Sequence, residues 1–176
     1  MGYSISDELK TKYLAREPQI CNIRVDFLSG ATQPGSRSYI ILTDGDIVSQ
    51  GLNIDRALFT GNTLELGTAI SAESTITLNN SDGRFDKFHF EGAKLQIYVG
   101  LKSDGRNISA GTAGERVKSV SDDGNTVTVD TIRNIVNTVP MGTFWVDNCP
   151  RRAKRITLQC LDSFAKMDIV IPSSGH

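Results

Sequence analysis

Few residues in this chain have the type and spacing that covalent or acid–base chemistry needs. His89 and His176 are the only histidines among 176 residues. A Ser-His-Asp or Cys-His arrangement would have to use His89, which lies between Phe88 and Phe90 in a turn-like stretch. No GxSxG nucleophile elbow is present. The acidic pairs Asp44/Asp46, Asp82/Asp86 and Asp122/Asp123 have the chemistry of calcium ligands or of paired glycosidase carboxylates. None completes a D-x-[DN]-x-[DN]-G-x5-E loop, and all three pairs fall in turn sequences, where Asp is favoured because it hydrogen-bonds its own backbone. Cys21, Cys149 and Cys160 are odd in number and lack CxxC spacing, which argues against a disulfide framework or a zinc site. Cys21 and Cys160 are in phase with apolar strand positions and read as small buried hydrophobes. The glycines of 105–114 are not followed by Gly-Lys-Ser/Thr and have no strand-to-helix setting for a nucleotide. The sequence thus points to no catalytic residue, no metal ligand and no cofactor.

What remains is surface chemistry. Arg151, Arg152, Lys154 and Arg155 form one local basic cluster after Trp145. It reads either as a charged hairpin edge that discourages unwanted strand pairing or as a salt-sensitive contact for another subunit or an acidic partner. Arg116 and Lys118 lie on a predicted hairpin strand and, with Trp145 and the basic cluster, complete the candidate interface residues. Trp145 and Tyr98 fall on the polar side of their strands and offer a small aromatic platform, the basis of an alternative reading as a carbohydrate- or surface-binding β module.

Strands must position these residues. Period-two alternation places Cys21, Ile23, Val25 and Phe27 on one face and Asn22, Arg24 and Asp26 on the other. It recurs at Ile76 and Leu78, at Leu95, Ile97 and Val99, and at Ile156, Leu158 and Cys160. Shorter candidate strands are 39–42, 47–59 (broken near Gly51) and 63–66. Residues 79–83, NNSDG, stop one strand, and Phe85, Phe88 and Phe90 follow as candidates to plug one end of a sheet. A recurring polar face implies antiparallel strands around one core, so the predicted fold is mainly β: an antiparallel β-barrel or rolled sheet with a long hairpin insertion and short N- and C-terminal helices. Residues 1–19 form a helical arm, 20–172 a single β-barrel domain with an insertion at 101–138, and 173–176 a tail. The insertion pairs strands at 116–120 and 126–129 about a turn at 122–125 and is expected to project and meet another subunit. The C-terminal helix is expected over 162–167. Nineteen basic against 20 acidic residues create no global field for nucleic acid or anionic membrane. No apolar run reaches membrane-spanning length, and the first ten residues lack a signal-peptide pattern.

The series LGTAIS (66–71), LNNSDGRFD (78–86), FEGA (90–93), Gly100-Leu101, MGTFWVD (141–147) and CLDSFAKM (160–167) resembles, in content and order, the N-terminal part of tail-hub or baseplate-hub proteins of bacteriophages and prophages. The resemblance implies a non-enzymatic structural component of a phage or prophage tail, joining tail tube to tail tip as a ring-like homo-oligomer, trimer or hexamer. It implies tail-tube, distal-tail and tape-measure proteins as partners, no sequence-specific nucleic-acid binding, synthesis in the bacterial host cytoplasm and residence in the virion tail. The 101–138 stretch is longer than the corresponding step in that family.

Overall fold

The structure, a computed structural model, describes residues 7–15, 19–55, 72–101, 114–132 and 139–163. Helix α1 (Asp7–Leu14) precedes β1 (Gln19–Asp26), β2 (Tyr39–Thr43), β3 (Ile47–Asp55), β4 (Glu73–Asn79), β5 (Lys94–Leu101), β6 (Gly114–Val120), β7 (Val127–Ile132), β8 (Val139–Asn148), β9 (Arg151–Arg152) and β10 (Arg155–Leu161). The main sheet runs β2-β1-β5-β8-β10-β4-β3, with β9 paired to β10, and β6 with β7 makes a separate two-stranded sheet. Every pairing is antiparallel.

The period-two reading identifies most of the core. Ile23, Val25, Ile76, Leu78, Leu95, Ile97, Ile156, Leu158 and Cys160 are buried in one cluster, whereas Cys21, Phe27 and Val99 are half-buried; Ile40 and Leu42 of β2 complete the cluster. Phe144 and Val146 of β8 join them, as do the three phenylalanines of the 80–93 turn. Burying such side chains contributes about 1.5–3 kcal/mol each, which outweighs the modest strand propensity of any one segment.

The expected β-barrel or rolled sheet is not formed: both sheets are open, and β2 and β3 are the edges of the larger one. Closure would require a β2–β3 ladder. These strands are joined instead by a 3-10 turn, Asp44–Asp46, whose capping box ties Thr43 to Asp46, and β6 packs beside β2. Strand β3 is also irregular. Its register against β4 shifts between Ile47 and Leu52; Gln50 in between has φ 57°, and a Cβ on Gly51 would lie 2.7 Å from Val48 O and 2.8 Å from Thr77 O. Glycine is therefore required where the two backbones approach.

The insertion contains the expected hairpin, and its described part lies against the body rather than projecting from it. Gly35 N donates to Gly124 O at 3.1 Å, and Lys87 Nζ donates to Ser121 O at 2.8 Å and also to Asp122 O. The expected strand at 63–66, the loop through 102–113, the helix beyond residue 163 and the tail lie outside the described residues. Among the described residues no helix is long and apolar enough to cross a membrane.

Candidate functional site

Three segments distant in sequence meet at Asp46. Its side chain is fully buried, and burying a carboxylate is costly unless it is paired and hydrogen-bonded. Arg84 Nη2 lies 2.7 Å from Oδ1, and Arg116 Nη2 and Nε lie 2.8 Å from Oδ1 and 2.9 Å from Oδ2. Thr43 donates its backbone N–H and its hydroxyl to Oδ2, each at 2.9 Å. The carboxylate thus clamps the β2–β3 turn, the 80–93 turn and the β6–β7 hairpin together. Hydrogen bonding to Asp46 in turn raises the pKa of the Arg116 guanidinium. Arg84 also lies over the Phe85 ring, 4.9 Å from its centroid.

The 80–93 turn carries the aromatic plug. Asn80 is buried; its Oδ1 accepts from Phe85 N at 2.9 Å, and its Nδ2 donates to Asp86 Oδ1 at 2.6 Å. Gly83 supplies the positive φ of 72°. Phe88 stacks on Phe27 with ring centroids 5.5 Å apart, and Phe85 meets Phe90 edge-on at 6.3 Å. Gln33 fastens the preceding loop to this turn, donating from Nε2 to His89 O at 2.9 Å and accepting from His89 N at 3.1 Å.

Arg151 braces the same turn from the other side. Its guanidinium donates to Phe85 O at 3.2 Å, to Asp86 O at 2.9 Å and to Phe88 O. This member of the basic cluster therefore has an internal structural use. Arg152, Lys154 and Arg155, exposed like Arg151, differ in making no side-chain hydrogen bond or ion pair among the described residues. Arg152 stands directly opposite Arg155 in the β9–β10 ladder, an arrangement that destabilises through like-charge repulsion. Ala153 between them has φ 49°, a conformation that costs a residue with a Cβ roughly 1–2 kcal/mol. Ala153→Gly is accordingly expected to stabilise the fold by about 0.5–1 kcal/mol after glycine's entropic penalty. Chemical denaturation checks this; a loss of stability would show that the left-handed backbone is not strained.

The other candidates are separated. Arg116 is engaged by Asp46, whereas Lys118, on the same strand, is exposed at the bulge between Val117 and Ser119. Trp145 is half-buried opposite Lys94, while Tyr98 pairs with Pro140. Four residues along β5 place these aromatics about 13 Å apart, so they do not form one platform. His89 lines a cleft of about 460 Å³ with Gln33, Pro34, Lys87, Asp123 and Asn125. The Ser121 hydroxyl, with the backbone and side chain of Asn125, holds Asp123 down to about 2, as a turn-stabilising carboxylate should behave. Burial pushes the Cys21 and Cys160 thiols up to about 11 and about 12, and Cys149 upward as well. All three are poor nucleophiles at neutral pH. Among the described residues no group of three or more His, Cys, Asp or Glu is placed to hold a metal.

Asn80, Arg84 and Gln33 were not singled out in the sequence. Their roles come from partners brought close only by folding, although NNSDG marked the turn that carries two of them. No family model, curated protein or solved structure matches this chain, so these comparisons lend no support to the phage-tail, virion or baseplate-hub identity that the motif series implies.

Proposed function

We propose that this protein is a non-catalytic structural subunit that works by assembling with copies of itself, in the setting its motif series resembles: a hub joining tail tube to tail tip. The observation that carries the assembly reading is the basic hairpin tip, where Arg152, Lys154 and Arg155 are exposed and have no acidic partner among the described residues. Arg151 holds this tip rigidly against the body. A pinned hairpin presenting like charges is unfavourable for the isolated chain and suits a surface completed by a partner. Edge strand β3 and the β6–β7 hairpin supply further backbone for contacts between subunits.

Light scattering across protein and salt concentration tests this reading. The expected mass is that of a trimer or hexamer, falling as salt rises and screens the tip. A strict monomer at every concentration and ionic strength would overturn self-assembly.

A further inference from the structure

Two like-charge cross-strand pairs of opposite sign stand at opposite ends of one ladder. In β9–β10 Arg152 faces Arg155; in β3–β4 Asp55 faces Glu73. Strand β10 connects the two ends, since Arg155 pairs with Asn79 while Leu161 pairs with Glu73. Six residues separate these levels, about 20 Å at the rise of a β-strand. That exceeds a Debye length of about 8 Å at physiological salt, so neither end neutralises the other within one chain. All four side chains belong to exposed residues, and none makes an ion pair among the described residues. Alternation places both pairs on the outward face, in line with Thr75 and Gln159.

Each pair alone works against its own strand pairing. A second copy displaced along the strands, and across the sheet by two strand spacings (about 10 Å), brings Arg152 and Arg155 against Asp55 and Glu73 and relieves both repulsions in one contact. We infer that the chain associates with itself end to end through these four residues, the basic tip of one copy on the acidic end of the next. The contact is heterologous, so it propagates into a ring if the rotation closes and into a filament if it does not. Exposed charge pairs contribute little individually, and their role here is to select which end meets which. The inference rests on the self-assembly reading above and adds the surfaces.

Charge exchange tests it. Arg152→Glu with Arg155→Glu, and separately Asp55→Lys with Glu73→Lys, are each expected to weaken self-association about tenfold or more in light scattering, because every contact becomes like-on-like. The four substitutions combined in one chain restore opposite charges at each contact and are expected to restore the wild-type mass. Circular dichroism melting checks that each variant folds; the combined variant also guards against misreading a folding defect. Double variants that assemble like wild type, or a combined variant that stays dissociated, would overturn the end-to-end contact while leaving self-assembly standing. A wild-type protein that is monomeric throughout would overturn both.

Discussion

Replacing Asp46 with Ala is expected to cost the fold about 3–5 kcal/mol, the loss that follows when one member of a buried charge network is removed. The carboxylate is fully buried, accepts hydrogen bonds from the Arg116 guanidinium and from Thr43, and forms an ion pair with Arg84 at 2.7 Å. Its removal leaves Arg84, whose side chain is 12 % exposed, with only the longer 3.6 Å ion-pair contact to the half-exposed Asp82 among the described residues, and frees the 3-10 turn that ends β2. For a chain of this length the melting temperature should fall by roughly 6–20 °C. Arg116 is 29 % exposed, so water takes over more of its solvation and Arg116→Ala should cost less, about 1–2 kcal/mol. That variant should also act locally, because Arg116 joins the β6–β7 hairpin to the body. Faster hydrogen exchange confined to β6 and β7 is the expected signature. A loss below about 1 kcal/mol for Asp46→Ala would show that the network contributes orientation rather than stability.

A loss of similar size, about 3–5 kcal/mol, is expected for Phe88→Ala. Phe88 is wholly buried, stacks on Phe27 and lies within 6.3 Å, centroid to centroid, of both Phe85 and Phe90. The turn around it cannot collapse to fill the space. Asn80 fixes the Phe85 backbone, Arg151 holds the carbonyls of Phe85, Asp86 and Phe88, and Gln33 holds both backbone groups of His89. A cavity that stays open carries the full penalty for lost contacts. Urea denaturation measures the loss; a value near 1 kcal/mol would mean that the loop 29–38 or the turn relaxes into the void.

Arg151 and Arg116 show how far charge can be read from a linear pattern. Both stood out as surface cations, yet both are engaged within the chain: Arg151 by backbone carbonyls, Arg116 by a carboxylate 70 residues away. Arg152, Lys154 and Arg155 keep the exposure expected of them. Nothing in residue type separates Arg151 from its neighbours, because the carbonyls it meets belong to a turn remote in sequence.

Alternation by itself determined which side of β1, β4, β5 and β10 faces the core, because successive side chains on a strand point to opposite faces whatever its neighbours are. Ile23, Val25, Leu95, Ile97, Ile156 and Leu158 followed from that rule, and the run NNSDG at 79–83 marked the turn by its backbone preferences. Tertiary structure alone decided the order of the strands, the open edges at β2 and β3, and the burial of Asp46 between two arginines. Periodicity describes each strand singly and carries no information about which edge meets which. Whether a sheet closes depends on short connections and non-local contacts, here a 3-10 turn clamped by a charge network assembled from three separate segments.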